Sequence, residues 1–257
     1  MNWHKGLRAF RWALPLGMLL ASVPALSLLV RPILIDMKAS GSGSNSSFEV
    51  VNDRNRPIAV EIAVQNLIVQ ERGAISLKPN DGANFQIFPP IASIPAGKKQ
   101  VFRVKWIGAP DLAKSELYMF STSELPVKRE ADDVTSVQVL YAINSVVAVA
   151  PANVKPEISI ADVERVTSKD GKVGVEITFQ NSSKSHGYVS SSEINLSIPG
   201  SDWTAKLDEG SVGKSFGLGL IPPNAKRVMF VALDGVPPTG EIAAEYSQVL
   251  GRRRKAL

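Results

Sequence analysis

Few residues in this chain could carry chemistry. The 257 residues include two histidines, His4 and His186, and no cysteine, which excludes thiol catalysis, disulfides and cysteine-bound metal. His186 lies in Ser182-Ser183-Lys184-Ser185-His186-Gly187, a turn composition that predicts an exposed loop histidine rather than a general base. A serine triad would need that histidine beside an ordered acid and a serine on a strained turn, and Gly200-Ser201-Asp202 lacks the glycine spacing of such a turn. The nearest carboxylate pairs are Glu116 with Glu124 and Asp132 with Asp133, and charged residues beside strand ends are normally solvated. No Gly-rich phosphate loop, EF-hand or HExxH run occurs. Without converging acid, base and oxyanion groups, the chain reads as a binding protein that is not an enzyme and needs no metal or cofactor.

An interaction is instead offered by Val134 to Ala150, VTSVQVLYAINSVVAVA. It predicts a strand of about 17 residues, where strands usually have about five or six. Alternation puts Val137, Val139, Tyr141, Ile143, Ser145, Val147 and Val149 on one face, and Gln138, Leu140, Ala142, Asn144, Val146 and Ala148 on the other. Both faces are apolar. Such a strand is either buried by its own domain or lies at an edge and donates side chains and backbone groups to another protein. The pattern alone leaves both open.

The elements around this run predict an all-β protein. After Val30, β-branched runs punctuated by Gly, Pro, Asn and Ser recur at about ten-residue spacing, as in a sandwich or barrel. The predicted strands are Leu29–Met37, Ser47–Val51, Ile58–Ile68, Phe85–Phe88, Lys99–Trp106, Glu116–Ser123 and Val134–Ala150, enough for one immunoglobulin-like domain. The prolines of Ala150-Pro151-Ala152-Asn153-Val154-Lys155-Pro156 break the pattern. A second set follows at Ile158–Val166, Lys172–Gln180, Gly187–Leu196, Thr204–Leu207, Leu218–Leu220, Ala225–Ala232 and Glu241–Ser247. The segment from Ser40 to Ser47 predicts a mobile loop between the first two strands.

At the N-terminus Lys5, Arg8 and Arg11 precede an apolar run from Ala13 to Val30, the layout of a cleaved signal peptide ending at Ala25 or Ser27. The run is long enough for a membrane anchor, but Pro15, Pro24, Arg31 and Pro32 weigh against one. The organisation is therefore a signal peptide over 1–25, one domain over 26–151 and another over 152–257. Removing the signal leaves 26 basic residues against 24 acidic, so the net charge is no argument for nucleic acid. The terminal Arg252-Arg253-Arg254-Lys255 reads as a solvated tail.

Taken in order, these residues resemble the periplasmic chaperones of the chaperone/usher pilus pathway, in an archaic or divergent branch. Leu29-Val-Arg-Pro-Ile-Leu-Ile-Asp36 is similar to their first strand, and Phe48-Glu-Val-Val-Asn-Asp53 to the second, ending in an Asn that begins a turn. Phe88-Pro-Pro90, Ile94-Pro-Ala-Gly97 and Gln100-Val-Phe-Arg-Val104 are similar to their middle, followed by Glu116-Leu-Tyr118, Pro126 and the long strand ending at Pro151. The resemblance implies two immunoglobulin-like β-sandwich domains set as a boomerang. In this family the long strand completes a pilin that lacks its own last strand. Val137, Val139, Tyr141 and Ile143 would be the subunit-binding residues.

Partners implied are pilus subunits, an outer-membrane usher and, for free protein, a second copy in a self-capping dimer. Familiar members hold the subunit's carboxylate with a basic pair, one residue on the first strand and one on the long strand. Here Ile33 and Leu34 stand at the first place, Asn144 and Val146 at the second. Arg103, expected on a neighbouring strand, is the replacement candidate, because a guanidinium can grip a carboxylate with two bonds. Arg31 and Asn144 are weaker candidates. A secreted structural or adhesive protein, with the long strand as internal core, is the alternative.

Overall fold

Alternation of buried and exposed side chains builds most of this molecule. In Lys99–Trp106, Phe102, Val104 and Trp106 point inward while Val101, Arg103 and Lys105 face solvent, as a strand with one buried face requires. The structure, a computed structural model, describes residues 28–126 and 139–248. The expected signal peptide, Val137, the Asp132–Asp133 pair and the Arg252–Lys255 tail lie outside the described residues.

The strands before Pro151 are β1 (Leu28–Arg31), β2 (Leu34–Lys38), β3 (Asn45–Asn52), β4 (Ile58–Val69), β5 (Ile75–Pro79), β6 (Phe85–Phe88), β7 (Ile91–Ile94), β8 (Lys99–Trp106), β9 (Glu116–Leu125) and β10 (Ala142–Ala150). They form two facing sheets, ordered β1-β3-β8-β6 and β2-β10-β9-β4-β5, with β7 also on β4. Between them the Phe85 ring meets Trp106, Tyr118 and Phe120 edge-on at centroid separations of 5.1, 4.8 and 5.0 Å. Phe48 stacks on Phe102 at 5.3 Å. Aromatic pairs favour these geometries; the contacts of Phe85 with Tyr118 and Phe120 of β9 join the two sheets, while Phe85–Trp106 and Phe48–Phe102 are cross-strand pairs within the first.

Three expectations are corrected here. Leu29–Met37 is two strands, because Pro32 has no N–H to continue a ladder: β1 pairs with β3 in one sheet, and β2 runs parallel to β10 in the other. Instead of a loop spanning Ser40 to Ser47, there is a short 3-10 turn at Ser42–Ser44, with β3 already under way at Asn45. Of the described part of the long strand, Ala142–Ala150 is β10, and Val139 to Tyr141 precede it without strand pairing. The short β5 and β7 were not expected from their sequences.

The remaining elements are β11 (Ile158–Thr167), β12 (Val173–Asn181), β13 (Gly187–Tyr188), β14 (Ser192–Ser197), β15 (Thr204–Leu207), α1 (Glu209–Phe216), β16 (Leu220–Ile221), β17 (Ala225–Ala232) and β18 (Ala243–Gln248). Their sheets are β11-β12-β17, β13-β16 and β15-β14-β18, closed over Val175, Ile177, Phe179, Ile194, Leu196 and Val212. Gly187–Leu196 is therefore broken into β13 and β14. Helix α1 is capped by the Asp208 carboxylate, which accepts from Ser211 N–H at 2.8 Å, and Gly217 ends it at φ 60°. Gly210 and Gly213 lower helix propensity, which hid it in the sequence.

One polar device occurs in both halves. Asn52, at the end of β3, is fully buried, and its amide Nδ2 donates to the carbonyls of Arg56 (2.8 Å), Ile94 (3.0 Å) and Pro95 (3.1 Å). Asn181, at the end of β12 and also fully buried, donates to Ser185 (2.7 Å), Ile221 (3.5 Å) and Pro222 (3.1 Å). In each case Oδ1 accepts the N–H two residues on, from Arg54 or Ser183 at 3.1 Å. Each amide thus shapes the loop that follows it.

Leaving buried carbonyls without a donor is costly, so Asn52→Ala is expected to destabilise the first sandwich by about 3 kcal/mol. Urea unfolding followed by Trp106 fluorescence in a Trp203→Phe background would show the earlier transition. Asn181→Ala should shift the Trp203 transition instead, in a Trp106→Phe background.

Candidate functional site

β10 is covered unevenly. It pairs antiparallel with β9 from Ala142 to Val149, whereas β2 runs beside it only from Val146 to Ala150. The last bond on that side is from Val146 N–H to the Ile33 carbonyl, at 2.8 Å. Among the described residues no strand pairs with the outer edge of Ala142–Ser145, leaving backbone groups for another strand to use.

The inward face of the same strand leaves its own core progressively. Val149 and Val147 are fully buried and Ser145 is 1% exposed. Ile143 is partly buried against the core, Tyr141 is 46% exposed and Val139 is 58% exposed. Three of the four residues expected to bind a partner therefore fall on one run, Val139, Tyr141 and Ile143, at the end beyond the reach of β2.

A cluster that sequence reasoning missed sits where Tyr141 emerges. Glu124 of β9 is buried, and its N–H donates to the Tyr141 carbonyl at 2.9 Å. Its Oε1 accepts from Arg54 Nη1 and from Arg56 Nη2, both at 3.0 Å. The Arg54 guanidinium carbon stands 4.6 Å from the centroid of the Tyr141 ring, within cation–π range. Glu124 is thus not a solvated strand-end charge. Nor does it face Glu116, which pairs with Val149 at the opposite end of β9 and accepts from the Tyr118 hydroxyl. Burial, and then that carboxylate, push the Tyr118 phenol's pKa up.

Both basic candidates lie on strands of the sheet that faces β10. Arg103 lies on β8, in the opposite sheet, opposite Ser47 on one side and Phe88 on the other, so the expectation that it sits on a strand neighbouring the long one is corrected. Arg31, on β1, is paired with Glu49, which also accepts from Lys99 at 2.9 Å. Lys99 first and Arg31 next hold the Glu49 carboxyl below its ordinary pKa. Asn144 is on β10 itself, exposed, opposite Ser121.

The two sandwiches meet through a second polar cluster. His186 is 7% exposed, so the expectation of an exposed loop histidine is corrected. Its Nδ1 lies 3.0 Å from Ser115 Oγ and its Nε2 3.1 Å from Asp36 Oδ1, while its backbone N–H donates to the same Ser115 oxygen at 2.9 Å. The Tyr188 hydroxyl also donates to Asp36, at 2.5 Å. Gly187 lets the connection pack close, since a Cβ there would stand 2.7 Å from that of Pro156. Serine, histidine and acid do meet here, but Ser115 is 4% exposed, out of reach of a substrate, and the arrangement ties the domains together.

A further tie is the turn after β4, where Arg72 makes a bidentate pair with Glu176 at 2.8 and 3.1 Å and the Glu71 carbonyl accepts from Val228 N–H at 2.9 Å. Leu220 and Tyr188 pack on Leu67, Met119 and Val146 between the two ties. Among the described residues no group of three or more acidic or histidine side chains could hold a metal, and no helix is long and apolar enough to cross a membrane.

Comparison with known proteins places this geometry. Residues 28–155 match the family described as "Pili and flagellar-assembly chaperone, PapD N-terminal domain". At the level of whole sequences, no curated protein matches the chain. Among solved structures, the class 5 fimbriae chaperone CfaA is similar at 14% identity and TM-score 0.54, over 90% of this chain and 97% of that one. The CsuC–CsuE chaperone–tip subunit pre-assembly complex from archaic Csu pili of Acinetobacter baumannii is similar at 15% identity and TM-score 0.51, over 90% and 97%. A chaperone–tip adhesin complex of CFA/I fimbriae gives 14% identity and TM-score 0.51, over 86% and 98%. At these identities the structural likeness carries the fold, which is the two-domain immunoglobulin-like arrangement.

Truncating His186 leaves buried Ser115 without its ring partner. His186→Ala is expected to cost about 1–3 kcal/mol and to broaden the distribution of distances between labels on the two domains. Arg72→Ala, at an exposed pair, should cost less than about 1 kcal/mol.

Proposed function

Because the chain belongs to the pilus- and flagellar-assembly chaperone family, and is thereby a non-enzymatic chaperone of pilus assembly, we propose that it holds its subunits by donating β10 and hands them to an outer-membrane usher. The observation that carries this reading is the combination of a β10 edge that no strand covers among the described residues with a face that passes from fully buried at Val147 on β10 to 58% exposed at Val139 just before it. A subunit short of one strand needs both backbone groups to complete its sheet and alternating side chains to fill its groove. Val137, Val139, Tyr141 and Ile143 supply the side chains in this reading.

The setting follows from the same proposal. Residues 1–25 are a signal peptide, cleaved after Ala25 or Ser27, that delivers the chain to the periplasm. The two domains divide at Pro151, between 26–151 and 152–257. Of the candidates to receive a subunit's carboxylate, Asn144 stands on the donating strand itself, while Arg31 is paired with Glu49 and Arg103 is across the sandwich. In free protein, a second copy covering the same edge gives a self-capping dimer.

Co-production in the periplasm with a pilus subunit lacking its last strand is expected to yield a one-to-one complex. Val139→Glu combined with Tyr141→Glu should abolish it while leaving far-UV circular dichroism unchanged, since both side chains are substantially exposed. Recovery of the complex from that variant would defeat strand donation.

A further inference from the structure

The loop between β3 and β4 delivers two arginines to one buried acid, and that arrangement is poorly explained by stability. The Arg54 side chain is 9% exposed and that of Glu124 1%. Arg54 Nη2 and Glu124 Oε2 find no hydrogen-bond partner among the described residues. A buried ion pair with unmatched polar atoms gives little net stabilisation, because desolvation offsets the attraction, and apolar residues often serve as well. What the pair does achieve is direction. Asn52 bends the loop, taking the Arg54 N–H on its Oδ1 and the Arg56 carbonyl on its Nδ2. Glu124 then holds the guanidinium 70 residues away in sequence, and its remaining surface meets the Tyr141 ring. The Glu124 main chain grips the Tyr141 carbonyl at the same point.

We propose that Arg54 is a positioning residue for subunit capture: fixed by Glu124, it pre-orders the Tyr141 ring and so sets how β10 enters a partner. The proposal rests on the strand-donation reading above. Tyr141 is the residue at which the face changes from self-packed Ile143 to free Val139, and it precedes the first residue of β10. A ring already held on one side loses less rotamer freedom when a subunit closes on the other, and pre-organisation of this kind is expressed in affinity. The Arg56 side chain, 34% exposed, also donates to Glu124 and helps to neutralise the acid.

The test uses the full chain and a purified pilus subunit lacking its last strand, diluted from denaturant onto the chaperone, with the lifetime of the complex as readout. Arg54→Gln is expected to shorten that lifetime about three- to tenfold, and Tyr141→Leu by at least as much. The double variant should be no worse than Tyr141→Leu alone, because Arg54 acts through the ring. Tyr141→Phe should retain the wild-type lifetime. Arg54→Lys keeps a cation beside Glu124 and protects the fold, but it lacks the planar face and should also shorten the lifetime.

Arg54 variants with wild-type lifetimes would overturn the proposal, as would effects that multiply in the double variant. Either result leaves strand donation standing. Failure of the wild-type chain to capture the subunit would overturn strand donation, and this inference with it.

Discussion

The reach of β2 along β10 is the constraint on which the rest depends. Were β2 paired beyond Val146, β10 would be an interior strand with both edges satisfied, like β9 between β10 and β4. Pro32 sets the limit. It ends β1 in one sheet and passes the chain to the other, where β2 starts at Leu34 beside Val146. A residue with no N–H thus decides both which sheet receives the first strand and how much backbone of β10 remains free.

Side chains near that edge are placed by groups far away in sequence. Arg54 reaches Glu124 across 70 positions and His186 reaches Asp36 across 150. Both contacts end on strands adjoining β10: Glu124 is on β9 and Asp36 on β2, opposite Ala148. The second domain is therefore secured to the strand that covers the buried half of β10, and the β3–β4 loop to the strand that supports its exposed half. Binding surface and domain joint share one sheet without sharing residues.

The parts legible in sequence were those fixed by local pattern. Phe85–Phe88, Lys99–Trp106, Thr204–Leu207 and Ala225–Ala232 alternate in and out with ends marked by turn residues, and each is a strand over that span. Where tertiary context decides, pattern failed. Leu29 to Met37 is continuous in character but divided by Pro32, and Gly187 to Leu196 is interrupted between Tyr188 and Ser192. Val139 to Tyr141 continue the apolar alternation but are not paired as a strand, because residue type cannot show where a neighbouring strand ends. Val139, Tyr141 and Ile143 were legible as one face by alternation alone. Arg54 and His186 were not, since each draws its role from partners on other elements, and a Ser-rich turn gave no sign that its histidine would be buried.

The two asparagine corners also bear on how these loops tolerate change. Every Nδ2 acceptor of Asn52 and Asn181 is a main-chain carbonyl, so the frame specifies one side chain and little about the identities of the residues it holds. One such loop carries a pair of arginines and the other three serines and a histidine, on the same scaffold. The second turn adds the buried Ser183 hydroxyl, which donates to Asn181 Oδ1 and accepts from the Ser185 N–H, so there a second side chain is also fixed. The same corner thus serves a cation–carboxylate cluster in one domain and a domain joint in the other.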